Sequence, residues 1–151
     1  MPVVHSAPPR GCTSLKLRQL SRAVSRHYEA HVAPTGLRNT QYALLSHVVK
    51  LGPLCLGDLA QAMELDASTL TRNLQPLLDK GLVESRVGAD ARSRIVQPTT
   101  TGMDLRHEAQ QAWKRAQRAL NDRLGEARVS TLHKLIDDCM QALASTGAEH
   151  V

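Results

Sequence analysis

Two leucine-rich runs separated by a three-residue turn constrain the fold of this chain more than any other feature. From Leu56 to Met63, apolar residues recur at i, i+3, i+4 and i+7, the spacing of one face of an α-helix. The run from Leu70 to Leu78 repeats the pattern at i, i+4, i+7 and i+8, and residues 64–66 form the predicted turn between the two helices. The spacing therefore predicts two short helices that pack on a shared core through a tight turn.

The polar face of the second predicted helix consists of small hydrogen-bonding side chains and one arginine. Asp66 or Ser68 is the predicted N-cap, because a short side-chain oxygen can accept a hydrogen bond from a free amide of the first turn. Pro76 lies inside the run and predicts a kink. Such a face can reach phosphates and base edges in a major groove, although an ordinary solvated surface has the same composition. The candidate base-reading residues are Ser68, Thr69, Thr71, Arg72, Asn73 and Gln75.

A short hairpin is predicted after this helix. Gly81 is placed to end the helix, and residues 82–86 and 94–97 have the β-branched content of two strands. The loop between them carries Asp90 and Arg92, and an arginine at such a tip is suited to a narrow, electronegative minor groove. The hairpin adds four residues to the predicted DNA-binding set, namely Arg86, Asp90, Arg92 and Arg94.

The segment from residue 56 to residue 102 resembles the DNA-binding lobe of the MarR family of bacterial transcriptional regulators. The resemblance rests on the LA pair of the first helix, the STLTR run at 68–72, the GLV at 81–83, Asp90 with Arg92, and the exit at 99–102. It implies a winged helix-turn-helix lobe over about 39–100. It also implies that helices over about 13–34 and 101–146 interlock into a two-fold homodimer, which binds a pseudo-palindromic operator in double-stranded DNA.

The fold class predicted is mainly α with a small β wing, in one domain over residues 13–151 after a flexible arm over residues 1–12. Aromatic residues make up only 2% of the chain and phenylalanine is absent, which favours a helical core of leucine, valine, alanine and methionine. Further helices are predicted over about 14–33, 39–51, 101–124 and from Val129 onward, with a short strand at 54–56 that pairs with the hairpin.

The helices at the two ends carry apolar stripes that the central lobe does not need for its own core. The first stripe contains Leu17, Leu20, Val24 and Tyr28. A second copy of the chain is the simplest partner for such surfaces. The stripe of the last helix is predicted to be buried and consists of Leu132, Leu135, Ile136, Cys139, Met140 and Leu143.

Composition and motifs narrow the class of function. A formal charge of +5 favours a polyanionic partner. Three dispersed cysteines without a C-x-x-C motif fit a reducing cytoplasm, and no apolar run approaches the roughly 20 residues that cross a bilayer. The catalytic, nucleotide-binding and zinc-protease signatures are absent, so the chain is predicted not to be an enzyme and to need no cofactor or metal.

Resemblance to MarR proteins also implies a repressor that is released by a small aromatic carboxylate or phenol. The implied pocket lies where the dimerisation helices meet the DNA lobe. It calls for an arginine or histidine that pairs with an anion, beside flat apolar side chains. The candidate ligand-binding residues are Arg22, Arg26, His27, Tyr28, Tyr42, His47, Trp113 and Arg115.

Three alternatives remain within the same fold. Cys12 precedes a helix rich in lysine and arginine, where a thiol can become reactive, and this predicts a possible redox sensor. His27 and His31 are spaced i, i+4, with His47 and His107 on neighbouring elements, and this spacing can hold a metal ion. The third alternative is a winged-helix module that binds proteins and not DNA.

Overall fold

The computed structural model describes residues 10–145, which form six helices and three short strands. The predicted arm over residues 1–12 lies mostly outside the described residues. None of the helices within 10–145 has the length and apolar character that a membrane span requires. The elements in chain order are α1 (Thr13–Val32), a single 3-10 turn (Ala33–Thr35), α2 (Asn39–Leu51), β1 (Leu54–Cys55), α3 (Leu56–Ala62), α4 (Ala67–Asp79), β2 (Val83–Val87), β3 (Arg94–Pro98), α5 (Thr100–Leu124) and α6 (Glu126–Ser145).

The strands form one antiparallel sheet in the order β1-β3-β2. Val83 opposes Pro98 and Val87 opposes Arg94 in the β2–β3 hairpin, and Leu54 of β1 opposes Val96 on the other edge of β3. The predicted pairing of the short strand at 54–56 with the hairpin is therefore confirmed. Leu56 itself begins α3, so β1 is one residue shorter than predicted.

Helix α4 begins and ends as the local sequence predicts. Its N-cap is Asp66, whose carboxylate accepts a hydrogen bond from the backbone amide of Thr69 at 2.8 Å. The helix continues through Pro76 to Asp79. Pro76 has no amide to donate to the carbonyl of Arg72, but it lies in the last turn, where few further hydrogen bonds depend on it.

The core of the lobe is made of aliphatic side chains from α2, α3, α4 and the sheet. Because each helix turns its leucine face inward, the helices and β3 enclose one continuous apolar interior. Residues that are at most 3% exposed include Leu44, Leu45, Val48, Leu59, Leu70, Leu74, Leu77, Leu82, Val83 and Val96.

Outside the lobe, α1 packs along α5, where Ala109, Ala112 and Ala116 are buried. Helix α6 begins at Glu126, earlier than the predicted Val129, because Gly125 adopts a positive φ of 84° and ends α5 in one residue. Small alanine side chains on α5 allow α1 to approach closely.

The predicted burial of the last apolar stripe is wrong for a single chain. Leu135 is 56% exposed, Ile136 is 44% exposed and Met140 is 51% exposed, and Cys139 is exposed as well. Helix α6 packs chiefly against α5, so the other helices within residues 10–145 leave much of the stripe exposed. Val129, in the first turn of α6, is the residue of this helix that is buried.

Candidate functional site

Helix α4 buries one face and exposes the other. Leu70, Leu74 and Leu77 point into the core, whereas Arg72 and Gln75 are exposed on the opposite side. The exposed face therefore carries the polar residues that the sequence pattern placed there. Helix α4 itself packs on β2, the first strand of the hairpin.

Most polar side chains on this face already make a hydrogen bond within the helix. The hydroxyl of Ser68 donates to one oxygen of Asp66 at 2.7 Å, and the hydroxyl of Thr69 donates to the other at 2.7 Å. Thr71 donates its hydroxyl proton to the carbonyl of Ala67 at 2.9 Å. The side-chain amide of Gln75 donates to Asp79 at 2.8 Å.

Arg72 and Asn73 are different, because neither side chain makes a hydrogen bond or ion pair with any residue in the range 10–145. Both line a polar cleft of about 320 Å³ between α4 and the beginning of α2. Arg38, the N-cap of α2, lines the same cleft together with Thr40, Gln41 and Pro76. The cleft thus brings two guanidinium groups from separate elements to one surface.

Arg38 was not among the predicted site residues. Its backbone amide donates to the side-chain oxygen of Gln41 at 3.0 Å, which fixes the first turn of α2 and leaves the guanidinium free. A signal was present in the sequence, because Arg38 immediately precedes the predicted helix α2. The free amides at a helix N-terminus attract anions, and an arginine there adds a positive charge. That Arg38 would lie opposite Arg72 depends on tertiary packing.

The tip of the hairpin is ordered by Asp90. Its side chain accepts a hydrogen bond from the backbone amide of Arg92 at 3.1 Å, and its carbonyl accepts from the amide of Ser93 at 2.9 Å. Asp90 therefore holds the backbone of the loop, and the exposed Arg92 side chain makes no ion pair with it. Arg94 donates to the hydroxyl of Ser85 at 3.4 Å, and Arg86 is exposed on β2.

The positive charges of this surface have no carboxylate partners in the part of the chain that the structure describes. Between residues 10 and 145 the one ion pair joins Lys134 and Asp138, at 3.0 Å on α6, far from the hairpin in sequence. Arg38, Arg72 and Arg92 are consequently available to an anion from outside the chain.

A second candidate site is a cavity of about 580 Å³ between α2, α3 and α5. Its walls include Tyr42, His47 and Trp113, three of the predicted ligand-binding residues. Tyr42 is nearly buried and its ring lies 6.3 Å from that of Trp113, centroid to centroid. The remaining walls are Asn39, Ala43, Ser46, Lys50, Leu51, Ala62, Arg106 and Gln110.

The charge of this cavity is positive, because Lys50 and Arg106 line it and no acidic residue does. Arg106 donates to Gln110 at 3.1 Å and to Ser46 at 3.4 Å, so its guanidinium is held by neutral partners only. The Nδ1 atom of His47 lies 2.8 Å from the carbonyl of Ala43 and donates to it, which leaves Nε2 as the other polar atom of the ring.

The structure separates the other five predicted ligand-binding residues from this cavity. Tyr28 stacks on Trp113 at 6.2 Å between ring centroids but does not line the cavity. Its hydroxyl donates to Gln117, and burial raises its pKa. His27 lies 2.8 Å from the carbonyl of Ala116. Arg22 lies in a shallow groove on α1, and Arg26 and Arg115 are exposed elsewhere on the surface.

Arg106 is the basic residue that the sequence reasoning missed in this cavity. The sequence offered a helical signal, because Arg106, Gln110 and Trp113 share one face of α5 at i, i+4 and i+7. Arg115 was predicted instead, and it lies on a different face of the same helix.

A third, largely apolar groove of about 400 Å³ lies between α1, α5 and the beginning of α6. Leu17, Leu20 and Val24 of α1 line one side, and Leu132 and Ile136 of α6 line the other. The apolar stripes of the two end helices are therefore neighbours on one surface.

The residues of the redox and metal alternatives are placed apart. Cys12 is exposed at the N-cap of α1 and forms no disulfide. The rings of His27 and His31 are 4.8 Å apart, but Nδ1 of His31 lies 2.9 Å from the carbonyl of His27. Within residues 10–145, no group of three or more histidine, cysteine or acidic side chains is arranged to hold a metal ion.

Comparison with known proteins bears on the whole arrangement. The sequence profile of the MarR family matches residues 35–93, a range that runs from the end of the 3-10 turn to the residue before β3. This part of the chain, the helix-turn-helix and the beginning of the wing, is therefore similar to the MarR family. A curated relative, an uncharacterized HTH-type transcriptional regulator, YwoH, of Bacillus subtilis, is 26% identical over 81 residues. That match spans 54% of this chain and 59% of YwoH.

Solved structures of MarR-family regulators match the fold over most of the chain. The transcriptional regulator MosR of M. tuberculosis, in complex with DNA, is 26% identical with a TM-score of 0.70, over 85% of this chain and 98% of MosR. A cysteine-to-serine variant of E. coli MarR complexed with operator DNA is 22% identical with a TM-score of 0.76, over 83% of this chain and 91% of that one. MepR of S. aureus, in its complex with DNA, is 19% identical with a TM-score of 0.76, over 88% of this chain and 99% of MepR. The predicted winged helix fold is therefore confirmed.

Proposed function

We propose that this chain is a member of the MarR family and acts as a homodimeric, sequence-specific DNA-binding repressor that a small aromatic anion releases from its operator. The observation that carries the proposal is the set of unpaired arginines around α4. Arg72 on the helix, Arg38 at the beginning of α2 and Arg92 on the hairpin tip lack carboxylate partners within residues 10–145. A surface of this kind is suited to a polyanion.

Each element has its own role in this proposal. Helix α4 enters the major groove, where Ser68, Thr69, Thr71, Arg72, Asn73 and Gln75 face the bases. Arg38 and Arg72 bind backbone phosphate across the cleft between α2 and α4, and Arg72, on the exposed face of α4, contacts a base as well. The ordered loop around Asp90 presents Arg92 to the minor groove, and Arg86 and Arg94 flank it.

Dimerisation follows from the exposed apolar surfaces of α1 and α6. Leu15 and Leu17 on α1 are 52% and 57% exposed, and Leu135 on α6 is 56% exposed. Large apolar side chains concentrated on two adjoining helices mark a protein interface. A second copy that covers these helices would place two α4 helices on the same side of the dimer, as a pseudo-palindromic operator requires.

The ligand proposal rests on the cavity between α2, α3 and α5. A cavity of about 580 Å³ has the size of a small-molecule site. Trp113 and Tyr42 provide flat apolar walls, and Arg106 and Lys50 provide positive charge that no described acidic residue pairs with. These features favour an aromatic carboxylate or a phenolate.

Release follows from the position of the cavity. Helix α2 and helix α3 belong to the DNA lobe, whereas α5 connects the lobe to the dimerisation helices. A ligand that binds between them better in one relative orientation shifts the population toward that orientation. Operator affinity then falls by the difference in ligand affinity for the two states.

Retention of genomic DNA fragments on the immobilised protein, followed by titration of a recovered fragment at increasing salt, tests the proposal. We expect recovered fragments to share a pseudo-palindromic sequence and affinity to decline steeply with salt, because phosphate binding releases counterions. Recovery of no fragment above background at moderate salt would instead support a winged-helix module that binds proteins.

A further inference from the structure

The hydroxyl groups at the beginning of α4 share one property: each has already donated its only proton. Ser68 and Thr69 donate to the two oxygens of Asp66, both at 2.7 Å, and Thr71 donates to the carbonyl of Ala67 at 2.9 Å. A hydroxyl group has one proton and two lone pairs. With the proton committed inward, only the lone pairs remain for a partner outside the chain.

Asp66 determines where two of the three hydroxyls, those of Ser68 and Thr69, point their protons. An ionised carboxylate accepts hydrogen bonds and cannot donate them. Hydrogen bonds from Ser68 and from both the hydroxyl and the amide of Thr69 hold the pKa of the Asp66 carboxyl well below its usual value. The carboxylate is therefore ionised throughout the physiological range, and the two hydroxyls must be the donors.

The consequence differs between the possible partners in a duplex. Phosphate oxygens, guanine O6 and N7, and thymine O4 only accept hydrogen bonds. Cytosine N4 and adenine N6 carry amino groups that donate in the major groove. A hydroxyl whose proton already belongs to Asp66 pairs favourably with an amino group and unfavourably with the acceptors.

We propose that Asp66 is a specificity-positioning residue, which fixes the hydroxyls of Ser68 and Thr69 as hydrogen-bond acceptors so that they select adenine or cytosine amino groups in the operator. This proposal rests on the proposed function. Arg72 supplies the opposite polarity on the same helix, because a guanidinium only donates and matches guanine. The helix thus presents acceptors in its first turn and a donor in its second.

Replacement of Asp66 by asparagine separates this role from helix capping. Asparagine is as good an N-cap as aspartate, since its carbonyl oxygen still accepts from the amide of Thr69. Its amide nitrogen, however, donates to a neighbouring hydroxyl, and that hydroxyl must then turn its own proton outward. The variant D66N therefore keeps the helix and reverses the polarity of at least one hydroxyl.

The experiment begins with selection from a pool of randomised DNA duplexes with the wild-type protein. In the selected duplex, each adenine is replaced in turn by purine and each cytosine by pyrimidin-2-one, because these analogues lack the amino group. The variants S68A, T69V and T71V then show which base faces which hydroxyl. A base replacement that weakens binding of the wild type should have no effect on the variant that lacks the hydroxyl facing that base. We expect each assigned replacement to weaken wild-type binding by about threefold to tenfold, the value of one hydrogen bond.

For D66N, we expect the loss to disappear or reverse at one or both positions assigned to Ser68 and Thr69. The loss at the position assigned to Thr71 should remain, because the Ala67 carbonyl is unaltered. The control D138N removes the same charge from α6, where Asp138 pairs with Lys134. In D138N, the ratio of affinities for the unmodified and the modified duplex should stay as in the wild type at every position. This control separates hydroxyl polarity from a general rise in affinity when a negative charge is removed.

Two other outcomes have distinct meanings. If the pool yields a defined sequence but no amino-group replacement can be assigned to Ser68 or Thr69, or the assigned replacements weaken binding of D66N and wild type alike, the role of Asp66 is refuted and the proposed function stands. If no sequence is enriched at all, sequence-specific DNA binding is itself refuted, and this inference with it.

Discussion

Gly102 lies directly against the backbone carbonyl of Leu82, so closely that a Cβ atom at Gly102 would be 1.8 Å from that oxygen. Two hydrogen bonds hold the chain at this junction: the amide of Thr99 donates to the carbonyl of Leu82 at 3.1 Å, and the hydroxyl of Thr99 donates to the carbonyl of Gly81 at 2.7 Å. The first turn of α5 is thus fixed on the beginning of β2.

Replacement of Gly102 by alanine should destabilise the protein, because backbone on both sides of the contact must move. We expect a loss of about 1–3 kcal/mol in the free energy of unfolding, as for other overpacked sites. The loss should appear as a lower melting temperature in a thermal denaturation experiment. Gly57→Ala on α3 is the matched control, since the nearest atom to its Cβ is the sulfur of Cys55 at 4.0 Å. It should be neutral or slightly stabilising, and equal effects for the two variants would contradict the packing described.

Removal of Arg72 or Arg92 should weaken operator binding without unfolding the protein, because both side chains are exposed and unpaired within residues 10–145. We expect Arg72→Ala to lower affinity by about tenfold or more, in line with the loss of about 1–3 kcal/mol for a base contact. Arg128→Ala on α6 is the control and should bind normally. The measurement is a gel-shift titration with a recovered genomic fragment. Unchanged affinity in both variants would show that this surface is not the DNA-binding surface.

Arg38 should act through phosphate and not through sequence. We expect Arg38→Gln to weaken binding to specific and unrelated duplexes alike and to reduce the dependence of log affinity on log salt by about one unit. Arg72→Ala, in contrast, should also change the preferred sequence. A selective loss of specific binding in Arg38→Gln would show that Arg38 reads bases.

Arg106 should be the anion-binding residue of the cavity between α2, α3 and α5. We expect Arg106→Gln to abolish release of DNA by benzoate and hydroxybenzoates, because the positive charge is removed. Operator affinity without ligand should be retained, because the hydrogen-bond partners of Arg106 are neutral and lose no ion pair. Arg115→Gln, on another face of α5, is the control and should respond as the wild type does. The reverse pattern would place the ligand outside this cavity.

Ile136 should be part of the dimer interface. A glutamate at this position would bury a charge in an apolar contact, so we expect Ile136→Glu to be monomeric in light-scattering measurements and to lose operator binding. Met103→Glu is the matched control, because Met103 is also 44% exposed but lies on the first turn of α5. A wild-type chain that is monomeric at high concentration would exclude the dimer.

The local elements of this protein were predictable because local interactions specify them. Leucine spacing predicts α3 and α4, and Asp66 is an N-cap because its carboxylate is two to three residues from free amides. The bounds of α2 and the pairing of β1 with β3 also follow from helix-ending and β-branched residues. The polar face of α4 is readable from periodicity alone.

Tertiary packing decided which charged side chains lie close together. Arg38 and Arg72 are far apart in sequence and share a cleft only because α2 packs across α4. Arg106, and not Arg115, lines the cavity because α5 presents a particular face to α2, and a helix rotation of one residue changes every neighbour. The sequence by itself determined the elements and their apolar faces, since these depend on residues three or four positions apart. The arrangement of the charges depends on how those faces pack, which is a non-local property.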